Sequence, residues 1–239
     1  MIDISTIAFA FIGGLLPALL WLYFWLKEDA RCPEPRHLIL LAFIAGMVTV
    51  PLVLPFQKWA IDYFGVVGPD TILAWAAAEE ILKYALVAIT VLWRRAVNEP
   101  IDPMMYMITG ALGFAALENT LFLINPLTDG NLIDGFITGN LRFLGATLLH
   151  VLASAIVGFT LAISFYMRKR FHVLFATIGL ILAILLHTIF NLLIISGEGI
   201  HTLTAFFFVW IGIVILFVLF EIAKYIRLIN TSKNKRNTC

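Results

Sequence analysis

The chain has 239 residues, of which 62% are apolar and only 13% are charged, with a mean hydropathy of +0.98 and a formal net charge of +1. A soluble domain is about 45–50% apolar and about 25% charged. This composition excludes a water-soluble fold, because too few polar residues are present to cover the apolar ones. The basic residues lie between hydrophobic segments rather than on one face, which excludes a nucleic-acid partner.

Seven stretches are long and apolar enough to span a bilayer, since a helical span needs about 20 mostly apolar residues. They are Ile4–Leu26, His37–Phe56, Asp70–Trp93, Pro103–Ile124, Leu141–Met167, Phe171–Ile195 and Thr202–Ile226. The second stretch is the weakest, because Pro51 and Pro55 interrupt its far end. We therefore predict an all-α polytopic membrane bundle of about seven transmembrane helices.

The basic residues favour one orientation of this bundle. With the N-terminus outside, thirteen Lys and Arg residues fall in inner segments, and only Lys58 and Arg142 fall in outer ones. The positive-inside rule therefore predicts an N-out, C-in topology. The short loops predict a single domain over residues 1–229, followed by a basic cytoplasmic tail at residues 230–239 that contacts membrane lipid. We expect residues 27–36 to form a cytoplasmic loop and Asn125–Asn140 to form an outer one.

The third to sixth predicted spans carry nearly all the polar residues expected within the membrane, where an ionisable group costs about 2.5–3.5 kcal/mol. At 1.5 Å per residue, the glutamates, the histidines and Asn191 among them lie between about 6 and 14 Å below the outer ends of their spans. This shared layer, in the outer half of the membrane, predicts a single site. Its members are Glu79, Glu80 and Lys83 on the third span, Glu118 and Asn119 on the fourth, His150 on the fifth, and His187 and Asn191 on the sixth.

The spacing of these residues adds detail to the predicted site. Lys83 follows Glu80 by three positions and Glu79 by four, so it can pair with either carboxylate. The two glutamates diverge by about 100° around the helix, so one can be held by Lys83 while the other faces a cavity. His187 and Asn191 are four positions apart and share a face.

Two kinds of hydrolytic chemistry fit this set. Two histidines and a carboxylate can hold a catalytic zinc ion while a further glutamate takes the proton from a water molecule. Without a metal, a glutamate base and a histidine acid can act together, with Asn191 and a histidine stabilising the oxyanion. The residues leave both schemes open.

Structural and non-hydrolytic roles are the alternatives. The glutamates and Lys83 could form a structural ion pair, a single histidine could hydrogen-bond between helices, and Glu118 and Asn119 could bind backbone groups at a kink. A seven-helix transporter or photoreceptor would use Glu and His as a proton relay, and a binding or immunity protein would use them as a ligand site. The absence of recognisable inverted repeats disfavours a transporter.

In order along the chain, these motifs resemble those of the PrsW family of intramembrane proteases, relatives of the CAAX prenyl proteases and bacteriocin-processing proteins. The matching segments are Pro33–Pro35, Glu79–Lys83, Gly113–Asn119, His150 and His187–Asn191. The resemblance implies cleavage of a membrane-anchored substrate, such as a single-pass anti-sigma factor, near the outer side of a prokaryotic cell membrane.

The resemblance also implies roles for the site residues. Glu79 and Glu80, with Lys83 in the same motif, would supply the catalytic carboxylate. Glu118, His150 and His187 would ligate a divalent metal such as zinc or act as acid and oxyanion groups. Asn191 would orient or stabilise the reacting groups, and Asn119 belongs to the fourth-span motif.

Overall fold

The computed structural model describes residues 3–28, 33–196 and 199–234. These residues form helices and connecting turns without a strand, which confirms the predicted all-α bundle. The helices are α1 (Ile4–Glu28), α2 (Arg36–Phe64), α3 (Pro69–Val87, continued by a π-helical segment at Ala88–Leu92), α4 (Asp102–Thr128), α5 (Leu132–Leu141), a π-helical segment at Arg142–Ala146, α6 (Thr147–Ser164), α7 (Lys169–Ile195) and α8 (Gly199–Asn234).

Six helices of the described chain are long and apolar enough to cross a membrane. They are Ile4–Glu28, Arg36–Phe64, Asp102–Thr128, Leu132–Ser164, Lys169–Ile195 and Gly199–Ile229. The third predicted span is also helical, at Pro69–Leu92, but it is less apolar because it carries Glu79, Glu80 and Lys83. All three charged side chains are buried inside the bundle, so this helix presents its polar groups to its neighbours.

Two boundaries of segments that the sequence predicts to lie on the outer side are wrong. Helix α2 continues through Pro51 and Pro55 to Phe64, because membrane helices tolerate the loss of a proline N–H. The predicted loop Asn125–Asn140 is mostly helical, with a tight turn between α4 and α5. There Gly130 adopts a φ of +72°, and the Asn131 side chain caps α5 by accepting a hydrogen bond from the Asp134 backbone N–H.

Two segments that the sequence predicts to lie on the inner side, residues 27–36 and 230–239, are helical in part. Helix α8 continues to Asn234, so the beginning of the predicted tail is helical, because no helix-breaking residue follows Ile226. Residues 235–239 lie outside the described residues. Residues 29–32 of the predicted loop 27–36 also lie outside them, while Lys27 and Glu28 belong to α1 and Arg36 begins α2.

Helix α4 is the centre of the bundle and packs against α1, α2 and α6. Its residues 102–116 are all buried. The crossing with α2 is a direct backbone contact: a Cβ atom on Gly113 would lie 1.9 Å from the Phe43 carbonyl oxygen, and one on Gly46 would lie 1.8 Å from the Gly110 oxygen. Small residues permit this approach, which fixes α4 against α2.

Candidate active site

A cavity of about 700 Å³ lies among α2, α3, α4, α6, α7 and α8. Most of its wall is apolar, with a few convergent polar groups, as is usual for ligand sites. Five of the predicted site residues line it: Glu79, Glu118, His150, His187 and Asn191. Helices that are distant in sequence therefore bring these residues to one place, as their shared predicted depth suggests.

Glu80 lies behind this wall and is held by two partners. Its Oε1 atom accepts hydrogen bonds from Lys83 Nζ at 2.5 Å and from His187 Nδ1 at 2.8 Å. Lys83 Nζ also lies 3.1 Å from His150 Nδ1 and 4.6 Å from the centre of the Phe114 ring. The Glu80 and Lys83 side chains are buried. Their ion pair links the two histidines, because Glu80 contacts His187 and Lys83 contacts His150.

Glu79 faces the cavity and has different partners. Its Oε1 atom accepts a hydrogen bond from Gln57 Nε2 at 2.9 Å. Its buried Oε2 atom has no hydrogen-bond partner among the described residues and lies 3.7 Å from His187 Nε2. The two adjacent glutamates thus diverge, one held by Lys83 and the other facing the cavity.

The contacts of His187 define its tautomer. A carboxylate can only accept, so the 2.8 Å contact with Glu80 places the ring proton on Nδ1. In the neutral form of the ring Nε2 is then unprotonated, and it points toward Glu79 Oε2. A histidine held by a carboxylate at one nitrogen, with the other nitrogen free, is the usual arrangement of a metal-ligating histidine.

His150 lies between groups of opposite charge. Lys83 donates to Nδ1, so Nε2 carries the proton and donates to Glu118 Oε2 at 3.1 Å. The His150 ring packs edge-on against the His187 ring, with centroids 5.0 Å apart. A ligand role for His150 therefore requires that one of its two hydrogen bonds be given up.

Glu118 is held by Arg142, which begins the π-helical segment before α6. Arg142 Nη2 donates to Glu118 Oε2, and Arg142 Nε donates to Asn119 Oδ1 at 2.7 Å. Asn119 in turn donates to Thr147 Oγ1 at 2.9 Å and lies outside the cavity wall. The role of Asn119 is thus to fix Arg142 against α4.

The donor atoms suited to a metal come from Glu79, His150 and His187, one from each residue within 4.8 Å of one another. Two imidazoles and one carboxylate beside an open cavity match the donor set of catalytic zinc sites. The unpartnered Glu79 Oε2 also fits a cation. The sequence-based set has Glu118 in place of Glu79, and in the structure Glu118 is already paired with Arg142.

Comparison with known proteins identifies the family of this chain. The model of the PrsW family intramembrane metalloproteases matches residues 34–220. The chain is 30% identical over 191 residues to Protease PrsW of Geobacillus kaustophilus, covering 78% of this chain and 80% of that protein. It is 29% identical over 208 residues to Protease PrsW of Bacillus subtilis, covering 84% and 91% of the two chains.

The chain belongs to the PrsW protease family. It is therefore an intramembrane protease, which confirms the resemblance and sets aside the transporter, photoreceptor and binding-protein alternatives. The PrsW match begins before α2 and ends within α8, so it includes every residue of the cavity wall. No solved structure matches the chain.

Two polar residues of this PrsW site are absent from the sequence-based set. Gln57 is uncharged and lies beyond Phe56, where the second predicted span ends, so a search for ionisable residues within spans passes over it. In the sequence-based prediction, Arg142 is only one of the two basic residues in the predicted outer segments. Its position one residue inside the fifth predicted span, which begins at Leu141, is the signal that could have identified it.

Proposed function

We propose that this member of the PrsW family is an endopeptidase of the prokaryotic cell membrane. Its substrate is a single-pass membrane protein, such as an anti-sigma factor, cut near the extracytoplasmic side. The distribution of basic residues supports an N-out, C-in orientation. In that orientation the cavity opens in the outer half of the membrane, where a substrate could be cut close to its outer juxtamembrane segment.

The observation that carries this proposal is the convergence of Glu79, His150 and His187 within 4.8 Å at the wall of a cavity. Peptide hydrolysis requires a positioned water molecule, an acceptor for its proton and stabilisation of the charge that develops on the carbonyl oxygen. Buried polar groups inside an apolar wall suit all three needs, because electrostatic interactions are stronger where bulk water is excluded.

In this proposal Glu79, His150 and His187 hold a divalent metal, most suitably zinc. The bound metal would polarise the scissile carbonyl and acidify the attacking water. Glu80 orients His187 through its Nδ1 proton, and Lys83 compensates the charge of Glu80. These two residues are positioning groups behind the site rather than groups that contact substrate.

Glu118 is the cavity carboxylate that remains, and we assign it the role of proton acceptor. It accepts the proton of the water whose oxygen bonds to the carbonyl carbon, and it gives that proton to the leaving nitrogen as the C–N bond breaks. Asn191, half-buried at the cavity wall, supplies an amide donor to the carbonyl oxygen. The metal-free alternative makes Glu79 the base and a histidine the acid.

A reconstituted cleavage assay tests this function. The full chain would be placed in liposomes with a panel of tagged single-pass membrane proteins, with and without a zinc chelator. The His187→Gln variant tests the site, and Asp129→Asn is the matched control, because Asp129 is acidic, exposed and outside the cavity wall. We expect wild type and Asp129→Asn to cleave a substrate on its outer side, and chelator or His187→Gln to abolish cleavage.

Other outcomes contradict particular parts of the proposal. Cleavage that persists in His187→Gln would exclude this site as the place of hydrolysis. Cleavage that is insensitive to chelator but lost in His187→Gln would favour the metal-free scheme. Cleavage on the inner side of the substrate would contradict the proposed orientation.

A further inference from the structure

We propose that Gln57 is a positioning residue that fixes the Glu79 carboxylate for binding a metal cation. This inference rests on the proposed function, since it concerns how one ligand of the site is held. Gln57 acts through Glu79 and is not proposed to contact the substrate.

Gln57 is tied to α3 at two points. Its side-chain Nε2 donates to Glu79 Oε1 at 2.9 Å, and its backbone carbonyl oxygen accepts a hydrogen bond from Trp75 Nε1 at 3.0 Å. Trp75 and Glu79 are four positions apart and therefore lie on the same face of α3. Gln57 of α2 is thus hydrogen-bonded to α3 through both its backbone and its side chain. These two bonds set the register of α2 and α3 beside the cavity.

The amide contact determines which carboxylate oxygen is available. With Oε1 of Glu79 bound to Gln57, the other oxygen is the buried Oε2 atom, 3.7 Å from His187 Nε2. A carboxylate without this contact could rotate about its terminal torsion, which is a broad, soft torsion. Gln57 therefore presents Oε2 to the same space as Nε2 of His187.

The choice of an amide also has an electrostatic consequence. Lys83, a cation, compensates the charge of Glu80, whereas Gln57 is neutral and leaves the charge of Glu79 uncompensated by that contact. A neutral donor orients a carboxylate while preserving its attraction for a cation. The adjacent glutamates thus differ: Glu80 is paired with a cation behind the wall, and Glu79 has a neutral donor at the wall.

The contact between Gln57 and Glu79 depends on the continuation of α2 beyond its prolines. Gln57 lies after Pro51 and Pro55 in an unbroken helix and lines the cavity together with Leu54, one turn earlier. Leu54 makes no polar contact with Glu79 and therefore provides a matched control on the same face.

The test measures the affinity of the detergent-solubilised full chain for Zn²⁺ alone, by competition with a chromophoric chelator. Gln57→Met keeps the length of the side chain and removes the donor, while Gln57→Asn keeps the amide and shortens its reach. Loss of a second-layer contact typically weakens metal binding by about 10- to 100-fold. We expect that loss in both variants, an affinity within about 2-fold of wild type in Leu54→Ala, and no change in unfolding temperature.

A double-mutant cycle separates positioning from general support of the fold. In a Glu79→Gln background, Gln57→Met should cause no further loss of Zn²⁺ affinity, because its effect passes through the Glu79 carboxylate. With substrate, Gln57→Met should lower kcat and leave KM within about 2-fold, since Gln57 holds the reacting site rather than the substrate.

Two results would overturn the inference alone, in a wild type that cleaves substrate and binds Zn²⁺. One is wild-type Zn²⁺ affinity in both Gln57 variants. The other is an equal loss from Gln57→Met in the Glu79→Gln background, which would show a structural role. A wild type that neither cleaves nor binds Zn²⁺ would overturn the proposed function together with this inference.

Discussion

Lys83 Nζ lies 2.5 Å from Glu80 Oε1, one helical turn away on α3, and both side chains are buried. The neighbouring Glu79 receives a neutral amide donor instead and lines the cavity. Two consecutive glutamates therefore have distinct environments, one inside an ion pair and one open to the site. In the proposed function, Glu80 supports the site and Glu79 acts in it.

The Lys83–Glu80 pair leads to a prediction about stability. Removing one partner of a buried ion pair leaves the other charge uncompensated and costs about 3–5 kcal/mol. We expect Lys83→Met to lower the free energy of unfolding by about that amount, measured by denaturant unfolding in detergent micelles. The control is Lys58→Met, which removes an exposed lysine and should change stability by less than about 0.5 kcal/mol. Equal stability of the two variants would contradict the prediction.

Replacing both partners of the pair tests the support given to His187. The double variant Glu80→Gln with Lys83→Met contains no unpaired charge, so it should be more stable than Lys83→Met alone. It loses the carboxylate that orients His187, and Zn²⁺ affinity should fall by about 10- to 100-fold. Competition with a chelator measures this. Recovered stability together with wild-type Zn²⁺ affinity would show that Glu80 does not orient a ligand.

The Arg142 guanidinium leads to a prediction about the proposed proton acceptor. Arg142 donates to Glu118 and is fixed by Asn119 on one side and stacked on the Phe122 ring, 3.7 Å from its centre. A hydrogen bond to a charged group contributes about 1.5–3 kcal/mol, so kcat of Arg142→Met should fall by about 10- to 100-fold. Zn²⁺ affinity should remain within about 2-fold, because Arg142 contacts none of the three ligands. A loss of Zn²⁺ with unchanged kcat would assign Arg142 to the metal instead.

The α2–α4 crossing leads to a prediction about assembly of the bundle. A Cβ atom on Gly113 would lie 1.9 Å from the Phe43 carbonyl oxygen, and backbone cannot move aside as a flexible side chain can. We expect Gly113→Val to reduce the folded yield in detergent sharply and to lower the unfolding free energy by at least about 1–3 kcal/mol. Gly199→Ala is the control, since no atom of the described residues, apart from its chain neighbours and its own helix backbone, lies within 4 Å of its Cβ position. Monodisperse, stable Gly113→Val protein would contradict the crossing.

Much of the bundle could be predicted because lipid imposes strong constraints on sequence. Long apolar stretches gave the helices, and the cost of burying charge made Glu79, Glu118, His150 and His187 recognisable as members of one site. The helical angle between Glu79 and Glu80 was sufficient to predict that one would be held by Lys83 while the other faces a cavity.

The features that could not be predicted depend on tertiary packing, which a hydropathy pattern does not reveal. Apolarity alone places the end of α2 at its prolines and misses Gln57, because a polar helical turn resembles a loop. The π-helical segment at Arg142–Ala146 is equally invisible, although it directs Arg142 toward Glu118. That contact explains why Glu79, rather than Glu118, groups with the histidines.

The measurement that tests the central assignment most directly compares Glu79→Gln with Glu118→Gln. Zinc content and substrate cleavage would be determined on the same reconstituted samples. The account predicts that Glu79→Gln loses both zinc and cleavage, whereas Glu118→Gln keeps zinc and loses cleavage. The reverse pattern, with zinc lost from Glu118→Gln and retained by Glu79→Gln, would contradict it and make Glu118 the ligand.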